Sequence, residues 1–339
     1  MTRPVVLLLL IGAACTGGAP GPVGQRISST PSAPDPSTQS SPAAPSRSPS
    51  PGPPAGRGLA WVAVESGGAI VEVDVRTHRV VSRHELRGGP HNLTVAADGT
   101  VAVALPRAGR IALVRERTVR RVQLDGSPHD VKVAGNLVVV ANEGAARLDL
   151  VTVKGRIAGH VPLKADPHDL AIAPDGRHAW VSLDGLSELA VVDLASRRVA
   201  RYVGTAQRPH DLLFAPDGRL WVTDWNQGVR VYTARGALAR RILAGVQVHH
   251  LAFTPDGEQA WLTDHQGARV FVADARRLRT LTSLPIRGAP HHVTITPDGR
   301  WAAVADHDAG KLLVFAVATR RLRASIPVGA GPHGVWAVP

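Results

Sequence analysis

Three observations predict an all-β fold, a seven-bladed β-propeller closed by its C-terminal strand and preceded by a disordered stalk: a repeat of about 40 residues occurs seven times, each copy reads as four short strands, and the two chain ends supply complementary parts of one copy. The repeat is marked by a dipeptide ending in His: Pro90-His91, Pro128-His129, Pro167-His168, Pro209-His210, Val248-His249, Pro290-His291 and Pro332-His333. Successive His residues stand 38, 39, 42, 39, 42 and 42 apart.

Composition narrows the class before any motif is read. The chain has 339 residues, 44% hydrophobic and 19% charged, with 34 Gly and 27 Pro, which describes a globular protein carrying a tail. A single Cys excludes an internal disulfide framework, a Cys-x-x-Cys redox pair and a thiolate zinc cage, so any metal site must be built from His and carboxylates. The net charge of +12 comes almost entirely from Arg. Aromatic residues are 4% and no basic run is interleaved with them, so a nucleic-acid partner is not expected.

Taken in order, the first element is a targeting segment over residues 1–14. Arg3 precedes ten apolar residues, Val5 to Ala14, too few to span a bilayer and the size of a signal-peptide core. Gly12-Ala13-Ala14 then precede Cys15, an arrangement that resembles a bacterial lipobox and implies a lipidated Cys15 at the mature N-terminus. The expected location is extracytoplasmic, held to the membrane by the lipid alone, with plain secretion as the alternative. Residues 16–57 hold 11 Pro, 9 Ser and 6 Gly and almost no large aliphatics, so they cannot bury enough apolar surface to offset the entropy of ordering. They read as a flexible linker.

Residues 58–339 form the repeat domain. After each His comes an alternating strand, as in Leu170 and Ile172 or Leu212 and Phe214, and then a hairpin turn such as Pro174-Asp175-Gly176 or Pro216-Asp217-Gly218. The second strand is an aromatic-aliphatic run, Ala179-Trp180-Val181-Ser182 or Leu220-Trp221-Val222-Thr223. Leu189 to Asp193 and Arg198 to Val203 exemplify the third and fourth. Leu59 to Leu86 provides only strands two to four, whereas His333 to Val338 provides only a first strand, so together they complete one blade and close the ring.

In such a blade the start of strand one and the end of strand two share a face. That face collects the seven repeat His residues together with Glu65, Glu143, Asp184, Asp224, Asp264-His265 and Asp306-His307, and only Leu105-Pro106 departs from the polar pattern. The repeated His has two readings, blade packing or ligation, and Asp130, Asp169 and Asp211 directly after it are placed to orient the next blade. Departures from the repeat point to a site. His250 and His292 replace the Asp after the repeat His in two adjacent units, which also carry Asp264-His265 and Asp306-His307. Neutral imidazoles and carboxylates suit zinc or copper when thiolates are lacking. The candidate metal ligands are therefore His249, His250, Asp264, His265, His291, His292, Asp306 and His307, with His210 and Asp224 from the preceding unit.

The Pro-Asp-Gly turns, followed in one unit by Trp221-Val222-Thr223-Asp224, resemble the repeat of YVTN-type β-propellers over about 58–339. A more distant similarity is to streptogramin B lyase-type propellers, in which a His opening an inner strand and an acid ending the next act with magnesium. The resemblance implies two candidate pairs here, His210 with Asp224 and His250 with Asp264. No Gly-x-Ser-x-Gly elbow or phosphate loop is present. The preferred expectation is a monomeric, membrane-tethered propeller that binds a transition metal for metal handling or metal-dependent recognition. The alternatives are a magnesium-dependent lyase or lactonase, and a scaffold for a cell-envelope protein or small molecule.

Overall fold

The computed structural model describes residues 58–205, 207–225 and 227–338. The targeting segment, Cys15 and the linker expected over 15–57 lie outside the described residues. Among the described residues 28 strands form seven four-stranded antiparallel sheets, the expected seven-bladed propeller, and no α-helix is present. Among the described residues no helix is long and apolar enough to cross a membrane.

The His168 blade shows why the repeat folds this way. Its strands are Pro167–Ile172, His178–Leu183, Glu188–Asp193 and Arg198–Gly204, paired in chain order. The second and third strands are apolar on both faces because each blade is covered by two neighbours, while the fourth is mostly exposed and rich in Arg. Charged outermost strands keep these edges from pairing with other chains. Cores lie between blades: Val139, Leu148 and Leu150 pack with Leu170, Val181 and Val192 of the next blade.

Closure is as the sequence predicts. Pro332–Ala337 pairs with Leu59–Val64, with Ala60 opposite Ala337 and Val62 opposite Val335, and occupies the innermost place of the first blade. Gly334 is required there: its N–H donates to the His91 carbonyl at 3.0 Å, and an added Cβ would lie 2.5 Å from that oxygen.

A bulge opens strand one in most blades. Pro209 pairs with Asp224 but Leu212 pairs with Val222, so three steps on one strand match two on the other. The same shift separates Pro167 from Leu170, Val248 from Leu251 and Pro290 from Val293. A bulge re-aims side chains and breaks strict alternation. Here it brings both the repeat His and the residue after it to the central channel. A hydroxyl from strand two repairs the interrupted ladder: Thr223 Oγ1 accepts from Asp211 N at 2.9 Å and donates to the His249 carbonyl of the next blade at 3.2 Å. Ser182 and Thr263 accept from Asp169 N and His250 N in the same way.

Candidate metal centre

The seven repeat imidazoles close into one ring around the channel. Neighbouring ring centroids are 4.2 Å apart from His91 to His129, then 4.1, 4.3, 4.4, 4.1 and 4.0 Å through His168, His210, His249, His291 and His333, and 3.6 Å from His333 back to His91. An inner tier follows one residue along each strand, where Asn92, Asp130, Asp169, Asp211, His250 and His292 stand. His250 and His292 stack at 3.2 Å between centroids and both approach His333. His265 and His307 form an outer tier over His291, at 4.8 and 5.4 Å.

Two inner aspartates also hold blades together, as their position predicts. Asp130 Oδ2 accepts from Leu170 N at 3.1 Å, and Asp211 Oδ2 accepts from Leu251 N at 3.0 Å, each on the next blade. Asp130 is further clamped by Lys132 Nζ, 2.6 Å from both its oxygens. Asp169 instead faces three imidazoles: its oxygens are 3.4 Å from His168 Nδ1 and 3.6 Å from Nδ1 of His129 and of His210.

Burial and crowding then sort the charges. Desolvation first, and repulsion from neighbouring imidazoles second, push His210, His249, His250, His291 and His333 well below the ordinary histidine range. His91 is lowered in the same way, and His292 falls to about 3. His168 is the opposite case, since desolvation is outweighed by the adjacent Asp169 carboxylate and its pKa rises to about 9. Burial also opposes the Asp169 charge, yet the His168 charge and contacts from His129 and His168 hold that carboxyl well below its usual range. The ring therefore carries a localised His168–Asp169 ion pair beside neutral imidazoles.

Neutral imidazoles are the form that ligates metal. Ligand atoms lie within 4.8 Å of one another in the groups His210–His249–His250, His250–His291–His292, Glu65–His91–His333, His129–His168–Asp169 and Asp169–Asp211–His250. His250 belongs to three of these groups. Its Nδ1 is 3.2 Å from Asp211 Oδ2, a side-chain contact that fixes the orientation of the imidazole. Moreover, Nδ1 of His91, His210, His249, His291 and His333, and Nε2 of His292, are buried with no protein hydrogen-bond partner. Buried polar atoms in native folds are normally satisfied, so these nitrogens fit a bound cation. With no Cys or Met in residues 58–339, the donors are nitrogen and oxygen only.

Of the candidate ligands, the structure brings His210, His249, His250, His291 and His292 together and sets His265 and His307 at the mouth. Asp224, Asp264 and Asp306 share the face, opposite Pro209, Val248 and Pro290, but their carboxylates turn to the backbone. They accept from Arg208 N at 3.2 Å, Gly267 N at 2.8 Å and Ala289 N at 3.0 Å, and none belongs to a converging group among the described residues. The sequence reading passed over Asn92, Asp169 and Lys132 as site residues. Their signal was positional: each stands one or three residues after a repeat His.

No protein-family model matches the chain, and no curated protein sequence does. Solved structures share the fold. Hydrazine synthase of Kuenenia stuttgartiensis is 19% identical with a TM-score of 0.69, over 75% of this chain and 91% of that one. Virginiamycin B lyase from Staphylococcus aureus is 16% identical with a TM-score of 0.64, over 73% and 88%. A candidate 6-phosphogluconolactonase from Bacteroides fragilis is 18% identical with a TM-score of 0.68, over 83% and 98%. At these identities the likeness establishes the propeller fold and nothing about activity.

Proposed function

We propose that this propeller, of YVTN type, binds a transition metal ion, zinc or copper, through His210, His249, His250, His291 and His292, as an extracytoplasmic protein tethered through a lipidated Cys15. One observation carries the metal reading: a closed ring of imidazoles, mostly neutral through burial, has ring nitrogens that no protein group satisfies. His250 is the shared ligand, with Asp211 as its orienting partner. Asp224, Asp264 and Asp306 serve as turn supports. The channel mouth, with His265 and His307, is the entry path, which suits uptake and release of the ion or its recognition by a partner.

The test is metal titration of chelator-treated full-length protein, by calorimetry and elemental analysis. His250→Ala should weaken zinc or copper binding at least about 100-fold, in the range found when ligands or their orienting groups are removed. His160→Ala, on the exposed outer strand, should not. Equal metal content in both variants overturns the assignment. Membrane fractionation with Cys15→Ala tests the tether, which should be lost.

A magnesium-dependent lyase is a second reading, favoured by the fold shared with streptogramin B lyase, at a TM-score of 0.65. The geometry favours it less, because the acids of both candidate pairs, Asp224 and Asp264, are taken up by backbone N–H groups.

A further inference from the structure

The ligands proposed above leave His91 and His333 unexplained. Nδ1 of each is buried without a protein partner, yet neither residue belongs to that set. Both stand where the chain closes into a ring. His333 lies on the closing strand, Pro332–Ala337, and His91 stands two residues before the first strand of the next blade, Leu93–Val95. Their ring centroids are 3.6 Å apart.

A carboxylate meets them there. Glu65 directly follows Leu59–Val64, the strand on which the closing strand pairs, and one ligand atom from each of Glu65, His91 and His333 lies within 4.8 Å of the other two. Backbone contacts hold this convergence: Glu65 N donates to the Gly331 carbonyl at 2.8 Å, and Gly334 N donates to the His91 carbonyl at 3.0 Å. The three side chains thus come from the opening strand of the domain, its closing strand and the second blade, segments joined at this seam by no covalent bond.

The donor set specifies the ion. Two imidazoles and one carboxylate are a set that zinc accepts, with a fourth position left for water. Calcium and magnesium need more oxygens than one carboxylate supplies. Arg107 Nη2 donates to Glu65 Oε1 at 2.7 Å, which fixes one carboxylate oxygen and leaves the other for a cation. Ligating carboxylates are commonly held by such a hydrogen bond. The Arg107 side chain is 61% exposed, so water and salt screen its repulsion of the ion.

We propose that Glu65, His91 and His333 bind a zinc-class divalent cation that staples the ring at its seam. An ion held by all three segments binds the closed ring and not the open one, so it favours closure by mass action. The site shares no residue with the five ligands proposed above, and either assignment can stand without the other.

Chelator-treated full-length protein is titrated with zinc by calorimetry, and amide hydrogen exchange is followed over Pro332–Ala337. Wild type should take up two zinc ions and Glu65→Gln one. In His250→Ala, which lacks the shared ligand of the other site, zinc should still bind and should slow exchange of the closing strand at least about tenfold, because exchange there requires the seam to open. Adding Glu65→Gln, which keeps the size and an acceptor for Arg107 but removes the charge, should weaken this binding at least about tenfold and abolish the effect on exchange. His91→Ala in the same background should do so from the other side of the seam. Zinc binding that is absent from His250→Ala, or undiminished by both further changes, overturns the proposal, as does closing-strand exchange slowed equally with and without the Glu65 carboxylate. If His250→Ala loses no metal while Glu65→Gln does, the five-ligand assignment fails and the staple stands.

Discussion

At Lys132 a single side chain balances a buried acidic layer. Burial disfavours its ammonium, but the carboxylates of Asp130 and Asp169 outweigh this and raise its pKa above the ordinary lysine value. Both oxygens of Asp130 lie 2.6 Å from Nζ, and Asp130 also accepts from Leu170 N on the next blade. Removing one partner of such a pair leaves an uncompensated buried charge. Lys132→Met should therefore cost about 3 kcal/mol by urea denaturation, the lower end of the usual range for a broken buried pair. Adding Asp130→Asn should restore most of it, because Asn keeps an acceptor for Leu170 N. A double variant as unstable as the single one would show that the ammonium acts through something other than Asp130. Lys132 is one of four lysines in a chain rich in Arg; alternation alone puts it on the same face as Asp130, but its role was not legible in the sequence, since only the closed ring buries that face and sets Asp169 beside it.

Within each blade the decisive element is strand one with its bulge. Period-two alternation predicts that His210 and Asp211 point to opposite sides, and the extra residue between the Asp224 and Val222 pairings brings both to the axis. The strand-two hydroxyl makes this arrangement tolerable. Thr223 serves Asp211 N in its own blade and the His249 carbonyl in the next. Thr223→Val keeps the shape but removes both bonds, and by the usual penalty for unsatisfied buried groups it should cost about 1–3 kcal/mol. It should also loosen the ring between His210 and His249, lowering metal affinity without touching a ligand. A Thr223→Val variant with unchanged stability in urea would show that the bulge does not depend on the hydroxyl. Strand order, turns and the closing strand were all readable from the repeat, because they depend on local pattern. The bulge was not, because it is defined by register against a second strand.

For the molecule as a whole, the ring makes stability depend on pH. His91, His210, His249, His250, His291, His292 and His333 have folded pKa values below that of an unfolded histidine. The unfolded chain thus binds more protons than the folded one as pH drops below about 6.5. Their contribution is fully present above about 6.5 and is lost as pH falls from there toward the depressed values. His168, raised to about 9, contributes in the opposite sense, a term complete below about 6.5 and lost as pH rises through 9. Metal-free protein should accordingly lose stability steeply between about pH 6.5 and 4, with a shallow decline above 7, when denaturation is followed across pH. Saturating zinc should raise the melting temperature near neutral pH, and this gain should vanish in acid as protons displace the metal. A flat acid limb would mean that the imidazoles are solvated rather than buried against one another.

The sequence by itself determined the propeller, the number of blades, the closing strand and the face on which the histidines gather. All of these follow from a hydrophobic period and turn residues repeated at fixed spacing, which act locally. The tertiary structure decided how those residues meet. Seven-fold closure brings His91, more than 200 residues away in sequence, to 3.6 Å from His333, and burial there fixes which imidazoles are neutral. It also turned Asp224, Asp264 and Asp306 to the backbone and placed Asp169 among three imidazoles. Spacing along the chain puts a residue on a face, but the direction of its side chain and the charge it carries depend on neighbours from other blades. Those neighbours exist only when the ring is closed.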